Sequence, residues 1–187
     1  MRLFIAIDIP GDLKENLSRL SIKFKKCGLD AKWVNTSNIH MTLKFLGEVQ
    51  EEQIDKIKGI IMAIAGNFSR LELSVGNFGF FPNENSPRVF FISTDKEEIL
   101  KEMSLQLEDK LEALGFPKEG RFKPHLTIAR IRSKKNIDCL KNEIKDAATK
   151  AKFAVNEIIL FKSLLTSAGP IYEKVFCAEL KQETSSI

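Results

Sequence analysis

Cysteine is scarce in this 187-residue chain: Cys27, Cys139 and Cys177 are the only three, and no C-x-x-C pair occurs. An odd number at wide spacing predicts neither a disulfide framework nor a zinc knuckle, and fits a reducing cytosol. Long apolar runs are also missing. No segment approaches the roughly 18 consecutive apolar residues of a membrane span. The opening RLFIAIDIP is interrupted by Asp8 and stopped at Pro10, too short for a signal-peptide core. The expectation is a cytoplasmic protein without membrane attachment. No G-x-x-x-x-G-K-[ST] loop, H-E-x-x-H pair or G-x-S-x-G elbow appears, so P-loop nucleotide binding, zincin chemistry and a hydrolase-type serine nucleophile have no support.

What is present is ordinary in bulk and unusual in detail. An apolar fraction of 43% with 29% charged residues describes a globular protein able to form one sizeable core. The net charge of +4 permits a polyanionic partner without requiring one. Its distribution is more telling. Lys23, Lys25, Lys26 and Lys32 precede one stretch, NIHMTLKFLGEV, while Arg121, Lys123, Arg130, Arg132, Lys134 and Lys135 bracket another, KPHLTIARI. Those two stretches contain both histidines of the chain, His40 and His125, each followed by apolar, threonine, apolar.

Apolar periodicity predicts alternating helices and strands. Leu13, Leu17, Leu20 and Phe24 mark a first helix, opened by Asp12 with Glu15 as a capping pair. Ile54, Ile57, Ile61 and Ile64 mark a second. Leu100, Met103, Leu107, Leu111 and Leu114 mark a third, announced by Thr94 with Glu97, and Ile137, Leu140 and Ile144 mark a fourth. Strands are expected at RLFIAI, HMTLKFL, LELSV, RVFFIS, HLTIARI, FAVNEIILF and EKVFCAEL. The class is α+β. GNFGFF superficially echoes an RNA-binding aromatic motif but lacks its leading basic residue, so Phe78, Phe80 and Phe81 are assigned to core packing or a turn.

AKWVNTSNIHMTL and GRFKPHLTI both place a basic and then an aromatic residue before H-x-T, with the histidines nearly half the chain apart. A duplicated lobe explains that spacing. In two lobes packed face to face, equivalent strands would bring His40 and His125 to one cleft.

Strand alternation puts His40, Thr42 and Lys44 on one face, with Met41, Leu43 and Phe45 pointing into a core. His125 and Thr127 likewise share a face opposite Leu126 and Ile128. Arg130 falls on the wrong side unless a bulge or the strand's end intervenes. A lone strand histidine is ordinarily structural, and threonine suits strands by propensity alone. Finding both histidines in one repeated pattern separates this pair from that background.

Two imidazoles with neighbouring hydroxyls suit phosphodiester cleavage at ribose. One neutral ring takes a proton from the attacking oxygen and one charged ring gives a proton to the departing oxygen, each worth about 10²–10⁴ in rate. The hydroxyls hold the phosphate, and the chemistry calls for no metal. A bound phosphate should favour the charged ring and place the basic limb of the pH profile above about 6.5.

With RLFIAIDIP, WVNTSNIHMTLKFLGEV, FGFFPNENSPRVFF, RFKPHLTIAR and LFKSLLTSAGPIYEKV in this order, the chain resembles the 2′-5′ RNA ligase family of two-histidine phosphoesterases over nearly its whole length. The resemblance implies one two-lobed domain over residues 1–187. Its similar lobes would each be a mainly antiparallel sheet with helices outside, related by a pseudo-twofold about a central cleft. It implies RNA 2′,3′-cyclic phosphodiesterase activity leaving a 2′-phosphomonoester, without cofactor. ATP-independent 2′-5′ joining of RNA ends, such as transfer-RNA halves, is a further implied activity. His40 would donate to the leaving 3′-oxygen and His125 accept from water. Thr42, Thr127 and Arg130 would bind phosphate, and Trp33, Phe45 and Tyr172 would help build the cleft. Partners would be RNA with cyclic-phosphate or 5′-hydroxyl ends, met by a monomer. A noncatalytic RNA-end binding protein is the alternative.

Overall fold

The computed structural model describes residues 1–145, 147, 151–167 and 169–182; of the quoted segments only LFKSLLTSAGPIYEKV reaches outside them, at Ala168. The apolar repeats become buried helix faces. Leu13, Leu17 and Phe24 line α1 (Gly11–Lys25), Ile54, Ile57, Ile61 and Ile64 line α2 (Ile54–Ala65), and Leu100, Met103, Leu107 and Leu111 line α3 (Glu97–Glu112). Ile137 and Leu140 do so for α4 (Ile137–Lys145). Neither expected capping box forms. Asp12 sits inside the first turn of α1, where its Oδ1 accepts from the Leu13 N–H at 2.8 Å. The preceding Pro10 offers no side-chain cap. Helix α3 starts after Lys96, held in the left-handed region at φ 52°. Thr94 cannot cap it because strand pairing claims Thr94 first.

The strands are β1 (Arg2–Asp8), β2 (Ala31–Trp33), β3 (His40–Glu48), β4 (Leu71–Phe81), β5 (Val89–Thr94), β6 (His125–Ile131), β7 (Lys152–Val155), β8 (Glu157–Thr166) and β9 (Gly169–Glu179). GNFGFF is neither turn nor separate motif but the second half of β4. FAVNEIILF breaks at Asn156 into β7 and β8, which join different sheets, and the three-residue β2 lies outside the expected strands. The two sheets are antiparallel, ordered β3-β1-β8-β9 and β2-β6-β5-β4-β7.

Those orders contain the duplication. A β-α-β-α-β unit occurs twice, as β1-α1-β3-α2-β4 and as β5-α3-β6-α4-β8, with β3-β1-β8 in one sheet matching β6-β5-β4 in the other. Each unit therefore lends its last strand to its partner's sheet, so the lobes are not sequence halves. One apolar cluster, from Leu3, Ile5 and Ile7 through Leu126 and Ile128, runs through both lobes. The opposite face of β1 starts a separate small cluster of Phe4, Ala6, Ile159 and Phe161.

The cysteine expectation fails. Cys27, beyond α1, is bonded to Cys139 of α4 with a Cα–Cα distance of 5.6 Å, across 112 residues of sequence. The fold makes them neighbours, which their spacing could not reveal. Cys177 remains free and exposed. Among the described residues no helix is long and apolar enough to cross a membrane.

Candidate active site

The duplicated strands β3 and β6 approach one another, and a cavity of about 540 Å³ opens between the sheets. His40, Thr42, His125, Thr127, Arg130 and Tyr172 all line it. The sequence pairing of the two histidine motifs is thus a spatial pairing.

Both rings are held alike. His40 Nδ1 lies 2.7 Å from the carbonyl oxygen of Asn38, and His125 Nδ1 lies 2.7 Å from that of Lys123, each two residues upstream. A carbonyl can only accept, so Nδ1 carries the proton and donates it in both rings. Nε2 is the ring nitrogen that this backbone contact leaves available. At His40 it meets Thr42 Oγ1 at 2.9 Å, where the hydroxyl donates while the ring is neutral.

Each ring also rests on aromatic neighbours from other strands of its own sheet. Phe4 and Phe161 stack at 5.2 Å, and His40 sits 4.8 Å from Phe4, with Tyr172 closing edge-on at 5.3 Å from the imidazole. In the other lobe Phe81 and Phe91 stack at 4.0 Å, and His125 meets Phe81 edge-on at 4.9 Å. Phe81 therefore supports the site and leaves the core-packing role to Phe78 and Phe80. Gly79 makes this possible, because a Cβ there would stand 2.8 Å from the Phe91 ring. Trp33 lines the cavity while packing edge-on against buried Phe90 at 6.3 Å, under Lys25.

Bulges correct the alternation argument in both lobes. On β3, Thr42 and Lys44 oppose consecutive residues Ala6 and Ile5, leaving Leu43 as an extra residue. On β6, Thr127 and Ala129 oppose Phe91 and Phe90, leaving Ile128 extra. Each bulge shifts the phase one residue after the threonine. Phe45 and Arg130, both five residues after their histidine, consequently reach the cavity; Phe45 is 53% exposed and not in the core. Lys44 borders the cavity too, but as a buried, paired side chain. It is 3% exposed, with Nζ donating to Glu108 Oε1 at 3.1 Å, Pro117 O at 2.7 Å and Glu119 Oε1 at 3.3 Å.

Burial dominates the electrostatics of the pair. It lowers His40 to about 4 against the opposing effects of the Asn38 carbonyl and Asp8, with Lys14 and His125 adding to the depression. Burial likewise lowers His125, countered by the Lys123 carbonyl and reinforced by Arg130 and Lys123. That His40 responds to His125 is the electrostatic sign of two rings facing one space. Among the described residues no group of three or more His, Cys, Asp or Glu is placed to hold a metal ion.

Known proteins resemble this chain over nearly its whole length. The family model described as LigT-like phosphoesterase matches twice, over residues 7–91 and 92–172, placing one histidine motif in each match. An RNA 2′,3′-cyclic phosphodiesterase of Methanocaldococcus jannaschii is 38% identical over 181 residues, covering 94% of this chain and 98% of that one. One of Thermotoga maritima is 35% identical over 177 residues, covering 94% of each. Among solved structures, the protein TT0787 of Thermus thermophilus superposes with a TM-score of 0.80 at 26% identity, covering 98% of this chain and all of that one. Escherichia coli LigT complexed with 3′-AMP, at 24% identity, shares the fold with a TM-score of 0.74 over 97% of this chain and 98% of its own. A family model that recognises both halves of the duplication, with relatives this similar along their whole length, establishes that the chain belongs to the LigT-like phosphoesterase family.

Proposed function

We propose that the chain hydrolyses terminal 2′,3′-cyclic phosphates of RNA to 2′-phosphomonoesters. The observation that carries this reading is the pair of histidines anchored identically through Nδ1, with Nε2 left for chemistry in one cavity beside a hydroxyl. In this mechanism His125 Nε2 takes a proton from water as its oxygen attacks phosphorus. The bond from phosphorus to O3′ breaks, and protonated His40 gives its Nε2 proton to O3′, leaving phosphate on O2′. Thr42, Thr127 and Arg130 hold non-bridging oxygens. Replacing water by a 5′-hydroxyl in the same step gives a 2′-5′ linkage, with ring strain driving it and no ATP consumed. Hydrolysis dominates where 5′-ends are dilute, and transfer-RNA halves are candidate ends for joining. One chain supplies both histidines, so the monomer is sufficient. An RNA substrate places the work in the cytoplasm, although the bonded cysteines no longer argue for that compartment.

The test is to map the product from an oligonucleotide ending in a 2′,3′-cyclic phosphate. A 2′-phosphate is expected; binding without consumption would indicate an end-binding protein instead. Turnover is expected to persist in excess EDTA, since acid, base and phosphate donors are all side chains. Loss on chelation, restored by one divalent ion, would refute the two-histidine mechanism.

The depressed histidines set the pH dependence. The profile of kcat/KM reports the ligand-free site, where burial favours the neutral rings. A proton on the pair is therefore lost below the usual histidine value of about 6.5, and kcat/KM should peak on the acid side of it. A bound phosphate anion stabilises imidazolium, so the basic limb of kcat should lie at higher pH than that of kcat/KM. Both limbs belong to the coupled pair. Steady-state rates over about pH 4–8 check this, and coincident profiles would contradict it.

A further inference from the structure

Like charges directly opposite on neighbouring strands destabilise a sheet, yet this protein places two cations that way. Lys32 of β2 is the register partner of Arg130 of β6. Both residues are exposed and both line the cavity. Among the described residues no carboxylate forms an ion pair with either one. Nearby Glu108 and Glu119 are already engaged by Lys44. An uncompensated cationic pair at the wall of a cleft is arranged for an anion that arrives with the ligand.

Its position says which anion. On β6 the order along the cleft face is His125, Thr127, Arg130, and Arg130 is near enough to oppose charge on His125 and to favour ionised Tyr172. Arg130 thus borders the reacting centre. Three residues of strand rise put it on the order of 10 Å along β6 from Thr127, and Lys32 lies one strand further out. β2 is the edge of its sheet, so nothing in the ladder lies beyond Lys32. Thr166, Gly169 and Pro170 of β8 and β9 also line the cavity, and Asn38 Nδ2 donates to Pro170 O at 2.6 Å. A strand that leaves the reacting centre past Arg130 meets Lys32 on the next strand.

We propose that Lys32, set against Arg130, is a second phosphate subsite that binds the internucleotide phosphate next to the cyclic end, making an RNA strand and not a mononucleotide the preferred substrate. This rests on the phosphodiesterase reading. The subsite needs only the charge and the reach of Lys32, so it acts on strand binding and not on the bonds that are made and broken.

The experiment compares adenosine 2′,3′-cyclic phosphate with the dinucleotide ApA ending in a 2′,3′-cyclic phosphate, using wild type, Lys32→Gln and Lys32→Arg. Wild type should favour the dinucleotide. Lys32→Gln should reduce the dinucleotide-to-mononucleotide ratio of kcat/KM about tenfold, the low end of what a hydrogen bond to a charged group is worth, and Lys32→Arg should preserve it. For the dinucleotide, the dependence of log KM on log salt should flatten by about 0.7 in Lys32→Gln, the value for one neutralised phosphate on a single strand. Its Tm should be no lower than wild type, because a like-charge opposition has been removed. Equal wild-type rates on the two substrates, or equal losses on both in Lys32→Gln, would overturn the subsite while the phosphodiesterase reading stood. No turnover of either substrate by wild type would overturn that reading, and the subsite with it.

Discussion

His40→Ala and His125→Ala are each expected to lower kcat on a cyclic-phosphate substrate by about 10²–10⁴, the ordinary worth of a positioned general acid or base. Nothing in the scaffold should fail with them. The rings line a cavity and not the core, and the strands carrying them are anchored by Met41, Leu43, Leu126 and Ile128. Circular dichroism of both variants should match wild type. Retention of more than about a tenth of wild-type kcat by either variant would end the two-histidine mechanism, given that expected range.

The same substitutions assign the roles. His40, the designated acid, has the pKa brought down to about 4, so it is the harder ring to charge in the ligand-free protein. Its donor role depends on the phosphate anion to restore the proton. A substrate whose 3′-oxygen is an unusually good leaving group needs little protonation there. It should rescue His40→Ala far more than His125→Ala, and equal rescue, or rescue of His125→Ala alone, would reverse the assignment. Removing the ring also removes a stability cost. A group depressed from about 6.5 unfolded to about 4 folded contributes stability in full above 6.5 and loses it as pH falls toward 4, on the order of 3 kcal/mol at the 1.36 kcal/mol per unit of the linkage relation. Urea unfolding of His40→Ala should accordingly weaken less on acidification than that of wild type.

The site was legible in the sequence where period-two alternation holds, and obscure where it breaks. His40, Thr42, His125 and Thr127 precede the bulges, and each lines the cavity as alternation predicts. Phe45 and Arg130 follow them, and alternation misplaces both, while Lys44 borders the cavity but is buried in an ion pair. A bulge inserts one residue without any glycine or proline to announce it here, since Leu43 and Ile128 are ordinary strand residues. Phe4, Phe81, Phe91 and Phe161 escaped for another reason. They flank the histidines across strands, and cross-strand neighbours depend on pairing register, which no local pattern in this chain discloses. The exchange of β4 and β8 between lobes is equally nonlocal. The H-x-T duplication correctly indicated two similar units while giving no sign that each completes the other's sheet.

Lys44 and Glu108 have the largest expected effect on stability. Both are buried, at 3% and 5% exposure, and Glu108 accepts from the Glu119 N–H at 2.9 Å and the Gly120 N–H at 3.3 Å as well as from Lys44. Burial pushes the Glu108 carboxyl up, but those N–H groups and the Lys44 ammonium together outweigh it and leave it below its usual range. The cluster ties β3 and α3 to the segment that runs through Arg121 and Lys123 into His125. Lys44→Met should cost about 3–5 kcal/mol, because it strands a buried charge, lowering Tm by roughly 10 °C for a chain of this size. Replacing both partners, as Lys44→Met with Glu108→Leu, should recover much of that loss, since an apolar pair leaves no unpaired charge. Activity should not recover with it. Without Glu108 the Glu119 and Gly120 N–H groups lose their acceptor, and the segment supplying the Lys123 carbonyl to His125 Nδ1 is no longer fixed. Denaturant titrations of the two single variants and the double variant, read beside kcat, separate the effects. A Lys44→Met protein within about 0.5 kcal/mol of wild type, the range of ordinary surface substitutions, would mean the ion pair is not holding this segment, and full activity in a stable double variant would mean the segment does not need it.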